Sequence, residues 1–229
     1  FLPSHDTCRK FAKFRRNRDL YSIRAYYFTL LGGAGFINFI SLFYQQQGLN
    51  GTQIGLLSTF SAVCGLLVGP LWGRWSDRAR RPRRILQLAL AASAVTFLMI
   101  GFQADFLPIA AWIVIYAFFS SGLNPMSEAT ALAVTRSEPG AGYGSIRRWG
   151  SLGWICVILP AGWLIDQVGL GMVFWGNFAA LLLAAIPIGL MTLQAPRARR
   201  DPAQPQPGLL AAARSVWGSP PLRGMLLVL

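Results

Sequence analysis

The sequence predicts an all-α membrane protein built on a bundle of six transmembrane helices. Three observations predict it: a shortage of charge, six long apolar runs, and a one-sided distribution of arginine and lysine. Of 229 residues, 54% are hydrophobic and 13% charged, where a soluble domain carries about 25% charged residues. Mean hydropathy is +0.45.

The elements follow from the apolar runs. A hydrocarbon core about 30 Å thick takes roughly 20 helical residues to cross. The runs are Tyr26–Tyr44, Ile54–Trp72, Ile85–Phe102, Phe106–Val134, Ile146–Ile165 and Gly171–Leu193, and a seventh begins at Leu222 and is cut off at Leu229. Each is continuous rather than alternating, which favours helices over barrel strands. Residues 1–25 then form a basic tail, 26–193 the six-helix domain, 194–221 a linker and 222–229 the start of a seventh helix. The chain does not begin with Met, so it reads as a piece of a longer protein or as one with some twenty foreign residues at its start.

Formal net charge is +13, from 21 Lys+Arg against 8 Asp+Glu. The connections QQQGLNGTQ, QADFLP and DQVGLG contain no basic residue. Seven lie in the tail up to Arg24, six between Arg74 and Arg84, three between Arg136 and Arg148, and five between Arg197 and Arg223. All 21 fall on one predicted side, which the positive-inside rule makes cytoplasmic, with the amino terminus there in an inner or plasma membrane. This accounts for the charge without nucleic acid, whose binding asks for a basic face on a soluble module.

Several function classes find no support. Cys8, Cys64 and Cys156 form no CxxC pair, and the single histidine, His5, has no metal-binding companion. Phosphate-loop, H-E-x-x-H and G-x-S-x-G patterns are missing, so ATP hydrolysis and enzymatic chemistry are not expected, and no metal or cofactor is implied.

Polar residues inside the apolar runs are the candidate functional groups. Glu128 sits in the fourth run, where an ionised carboxylate costs several kcal/mol unless paired or hydrated. Ser121, Asn124 and Glu128, three and four apart, share a helix face, and Pro125 beside them frees a backbone carbonyl. Arg147, Ser151 and Trp154 share a face at the start of the fifth run. A guanidinium, a hydroxyl and an indole together suit a polar ligand with a flat apolar side. Arg147 equally suits snorkelling to the membrane surface, and Trp154 suits packing. Asn38 is the main polar group of the first run; it faces a cavity or bonds a neighbouring helix. The cluster Gly32–Gly33–Ala34–Gly35 allows close packing or bending. The spacing Gly65–Gly69–Gly73 predicts a small ridge on the second helix where another helix approaches closely.

Two motifs resemble a known family. Gly73, Asp77, Arg78 and Arg81 follow G-x-x-x-D-R-x-x-R, and with the six-run layout the chain resembles the amino-terminal half of a twelve-helix major facilitator superfamily transporter. Arg80 stands where that pattern usually has glycine. Gly162 and Asp166 echo the G-x-x-x-D spacing at the other face, as two inverted three-helix units would produce. Tyr143-Gly144-x-x-Arg147-x-Trp149-Gly150-x-x-Gly153-Trp154 is similar to the fifth helix of the lactose-permease type of proton symporters and the related nucleoside and phenylpropionate transporters. The resemblance implies alternating access and proton-coupled import of a small polar or aromatic solute. It implies that Glu128 and Arg147 contact the solute, that Trp154 stacks on it, and that Asp77 and Arg78 latch one conformation. The partners implied are the solute, protons, the bilayer and a missing carboxy-terminal six-helix half. Alternatives are a drug-efflux antiporter of the same superfamily, the membrane half of an ATP-driven exporter, and a non-transporting membrane fragment or anchor.

Overall fold

Without water to satisfy it, backbone in a bilayer must bond to itself, and these runs do so as helices. The computed structural model describes residues 5–79, 81–137 and 142–191, with side chains from residue 17 onward except at 77 and 137. The expected linker 194–221 and the start of a seventh helix lie outside the described residues.

Among those residues the chain forms α1 (His5–Ile37), α2 (Ile40–Gln46), α3 (Gly51–Arg78), α4 (Pro82–Ile100), α5 (Phe106–Ser120), α6 (Leu123–Ser137), α7 (Tyr143–Val168) and α8 (Gly171–Leu190). They make six stretches long and apolar enough to cross a membrane: Asn17–Gln46, Gly51–Ser76, Pro82–Ile100, Phe106–Arg136, Tyr143–Val168 and Gly171–Leu190. The first joins α1 to α2 and the fourth joins α5 to α6. α1 is 33 residues, about 50 Å at helical rise, so helix extends well past the first span into the basic stretch.

Short connections have local causes. Before α3, Asn50 Oδ1 accepts from the Gln53 amide and Gln53 Oε1 from the Asn50 amide, both at 2.9 Å, a reciprocal cap for two otherwise orphaned donors. Gly48 just upstream has φ 77°, where a side chain would be strained. Pro82 opens α4, where a missing N–H costs nothing.

Packing turns on α1. Its Gly32 and Gly35 face α7, whose Gly150 and Gly153 face back. A Cβ on Gly153 would lie 2.1 Å from the Phe28 carbonyl oxygen, so these helices meet backbone to backbone. Gly33 makes room for α8 side chains: a Cβ there would come 2.9 Å from Ala180 Cβ. The motif glycines Gly150 and Gly153 therefore serve helix packing, as small residues do in membrane interfaces. Elsewhere α4 packs on α8 and α5, and α3 on α5. The Gly65–Gly69–Gly73 ridge behaves otherwise: nothing lies within 4 Å of a Cβ at Gly65 or Gly73. The close approach expected at those two positions is not made by any described part of this chain.

Numbering the spans one to six, span one packs on five and six, span four on two and three, and three on six. The pattern is unchanged when each span is exchanged with the one three further on. Spans one and four run in opposite directions, and both are broken, at 38–39 and 121–122. That is the relation expected of two inverted three-helix units.

Glycine 153 and glycine 65 make a paired test in the full-length protein. Gly153→Ala places a methyl against backbone that cannot yield; overpacking costs about 1–3 kcal/mol, and thermal melting in detergent should show a clear loss. Gly65→Ala should melt like the wild type if no other part of the protein covers it.

Candidate functional site

The break in the fourth span positions most of the candidate residues. Pro125 has no N–H to continue the ladder, and the chain turns at Ser121–Gly122. The Phe118 carbonyl at the end of α5 accepts instead from Trp72 Nε1 at 2.7 Å and Ser121 Oγ at 2.9 Å. Gly122 makes room for that indole: a Cβ there would sit 2.7 Å from the Trp72 ring. Trp72 also stacks near Trp75 and Phe118, so the end of α3 is seated in the break.

Beyond it, α6 turns Met126 and Ser127 inward and Asn124 and Glu128 outward. The Ser127 hydroxyl donates to the Leu123 carbonyl, so the Tyr26 hydroxyl, 2.5 Å away, is the donor between the two side chains. This bond fixes the rotation of α6 against α1, and with it the exposed direction of Glu128.

On α7 the buried stripe Ile146, Gly150 and Gly153 lies on α1, and Arg147, Ser151 and Trp154 are exposed. Arg147 also lies close enough to interact with the buried Tyr27, beside Tyr143. No hydrogen bond or ion pair joins Glu128 to Arg147 among the described residues. The structure exposes Asn124 and Glu128 on α6 but leaves Ser121 half-buried in the turn before that helix, exposes Arg147, Ser151 and Trp154 on α7, and brings the two charges into no direct contact. Asn38 bonds to its own helix: Nδ2 donates to the carbonyls of Ala34, at 2.9 Å, and Gly35, at 3.3 Å, at the break between α1 and α2.

The motif of the second connection lies at the basic end. Arg78 ends α3 and Arg81 precedes α4, both exposed. The side chain of Asp77 lies outside the described residues. Nearby, Arg83 donates to the Met191 carbonyl and lies in the field of Asp19, itself buried on α1.

Asn177 is not among the residues that the sequence pattern marks out. It is fully buried in α8, and among the described residues neither its amide nitrogen nor its amide oxygen has a hydrogen-bond partner, an omission that costs about 1–3 kcal/mol per group. It lines a cleft of about 410 Å³ with Ser61, Tyr116, Ser120 and Asn124. A second, more apolar cleft of 330 Å³ shares Ile37, Ser61 and Tyr116 with it. The available signal was a lone amide in the otherwise apolar sixth run.

Six helices able to span a membrane, packed as paired three-helix units around clefts, define half of a multi-pass transporter fold. The chain belongs to the MFS_1 like family, which it matches over residues 20–204. It is 31% identical over 147 residues to the maltose permease of Geobacillus stearothermophilus, covering 64% of this chain and 37% of that protein. It is 30% identical over 163 residues to the uncharacterized transporter YwbF of Bacillus subtilis, covering 70% and 41%. With the multidrug resistance protein MdtG of Citrobacter koseri it shares 29% over 183 residues, covering 75% and 43%. The chain thus spans about two fifths of the length of these relatives. Its fold resembles the crystal structure of a bacterial homologue of the human lysosomal transporter Spinster, in an inward-facing and unoccupied conformation. The TM-score is 0.62 at 20% identity, over 90% of this chain and 50% of that one.

Trp72→Phe keeps one aromatic ring, removes the bond to the Phe118 carbonyl and vacates the space of the indole's second ring. The lost bond alone should cost about 1 kcal/mol and the cavity adds to it, read as a drop in melting temperature. Gly122→Val should cost more, because it displaces the whole indole.

Proposed function

We propose that the complete protein is a secondary active transporter that carries a small polar solute, of the sugar class, inward by alternating access, coupled to protons. The observation that carries this reading is the exposure of Asn124, Glu128, Arg147, Ser151 and Trp154 on the fourth and fifth membrane-spanning stretches. A carboxylate and a guanidinium turned toward lipid would each cost several kcal/mol. A water-filled space against a second six-helix half removes that cost and gives a solute its binding groups. The length shared with the relatives leaves room for such a half, and the maltose permease match supports a sugar.

In this reading Glu128 and Arg147 bind the solute's polar groups, Trp154 stacks on its apolar side, and Ser151, Asn124 and Asn38 add hydrogen bonds. Gly73, Asp77, Arg78 and Arg81 bias the equilibrium between the two conformations. The basic end of the bundle, with the amino terminus, is cytoplasmic. Efflux is the second reading, supported by the MdtG match and by the apolar cleft beside Tyr116.

The test uses the full-length protein in proteoliposomes with an imposed proton gradient. Labelled maltose should accumulate, and Glu128→Gln and Arg147→Ala should each cut uptake by at least about ten-fold, the scale of one lost charged hydrogen bond, with insertion unchanged. Wild-type uptake by both variants overturns the site, and gradient-driven extrusion of ethidium without maltose uptake favours efflux. Cysteines at 46–52 should label from outside the cell and those at 78–84 from inside; the reverse overturns the orientation.

A further inference from the structure

We propose that Asn177 and the uncharged groups around it form a subsite for the hydroxyl- or amide-bearing part of a neutral solute. The inference deepens the transport reading by giving the solute a second point of attachment, away from Glu128 and Arg147, neither of which lines this cleft.

Asn177 is 0% exposed and both polar atoms of its amide are unpartnered. An amide offers two donors and an acceptor with two lone pairs, so the group that satisfies it must both accept and donate. A hydroxyl or another amide does this; a hydrocarbon, a quaternary cation or a bare carboxylate does not. Ser61, Tyr116, Ser120 and Asn124 on the facing helices add hydroxyls and a second amide. No charged side chain is among the described residues that line the cleft, so a charged ligand would be buried without a counter-charge. Leu30, Leu31, Ile37 and Leu181 supply apolar wall for a carbon skeleton. The volume, 410 Å³, falls in the range of about 300–1,000 Å³ usual for small-molecule sites.

The position is also suitable. Asn177 lies six residues into α8, about 9 Å along the helix, and Ser61 lies near the middle of α3. Its oxygen lies against α1: a Cβ on Gly33 would come 3.1 Å from Oδ1. Glycine at 33 therefore lets the amide sit beside the helix that carries most of the packing, so occupancy of the cleft is felt at the α1–α8 contact.

The experiment measures binding to purified full-length protein in detergent by calorimetry. The neutral probes are glucose, sucrose and maltose, and the charged probes are sodium lactate and tetraphenylphosphonium. At least one carbohydrate should bind, and Asn177→Leu should weaken it by about ten-fold or more. Because Asn177 makes no hydrogen bond among the described residues, the leucine variant should melt within a few degrees of wild type or above it. Unchanged carbohydrate affinity in Asn177→Leu overturns the subsite and leaves only an ordered water or a packing role. Binding of charged probes alone, or of no carbohydrate, overturns it as well. Should the leucine variant fail to fold, Tyr116→Phe removes a cleft hydroxyl at nearly constant volume, and unchanged affinity there is equally fatal. Asn177-dependent binding without uptake in proteoliposomes overturns the transport reading and leaves the subsite standing.

Discussion

The close approach of α1 and α7 is the contact on which the rest of the bundle depends. Lipid tails offer no hydrophobic drive for one apolar helix to prefer another, so association rests on fit. Glycines on both helices bring backbone against backbone, with no room for a Cβ between Gly153 and the Phe28 carbonyl. Between α1 and α8, Gly33 and Gly176 instead make room for side chains, Ala180 and Asn177 on one side and the Phe36 ring on the other. With α7 and α8 held on either side of it, α1 cannot rotate, and the Tyr26–Ser127 bond passes that orientation to α6. The outward direction of Arg147 follows from the glycines of its own helix, and that of Glu128 from the α1 orientation passed on through Tyr26 and Ser127.

The broken spans follow from the same economy of backbone bonds. A membrane helix can break only where something else takes its carbonyls. In the first span the Asn38 side chain takes two of them, and in the fourth the Trp72 indole takes one. One device is local and the other comes from a neighbouring helix, yet the two breaks occupy related places in the two three-helix units. The break in the fourth span also lines the polar cleft through Ser120, Ser121 and Asn124, so irregular backbone sits where there is space beside it rather than against lipid.

The spans were legible in the sequence because length and apolarity are properties of single segments, and each expected run lies largely within an observed one. The α1 glycine cluster was legible for the same reason. What required a partner was not. Gly65–Gly69–Gly73 has the spacing of a packing ridge, but spacing says nothing about whether the partner lies in the same stretch of chain, and at Gly65 and Gly73 none is within reach. Gly150 and Gly153 belong to the motif of the fifth run, and their contact with Leu31 and Phe28 depends on how α7 lies on α1. The outward faces bearing Glu128 and Arg147 were visible as helical periodicity, whereas their separation depends on helix rotation. Asn177 was hidden by its surroundings: one amide among apolar residues looks like a tolerated exception until both its polar atoms are found unpaired.

Charged and uncharged polar groups are segregated in this half of the fold, and the segregation has a physical basis. Glu128 and Arg147 lie on exposed faces, where water or a facing half can solvate them. Among the described residues that line the cleft, the polar side chains are amides and hydroxyls. A buried charge needs a permanent counter-charge, which would hold the cleft closed or open regardless of its contents. A buried amide leaves a smaller deficit, one that a passing hydroxyl can repair and then restore on leaving. An unpaired Asn177 is thus suited to a site that must be filled and emptied in turn, because the free energy it gains on occupancy is modest and reversible. The tight glycine contact beside it, between Gly33 and α8, is where such a change in occupancy would be transmitted to the packing of α1.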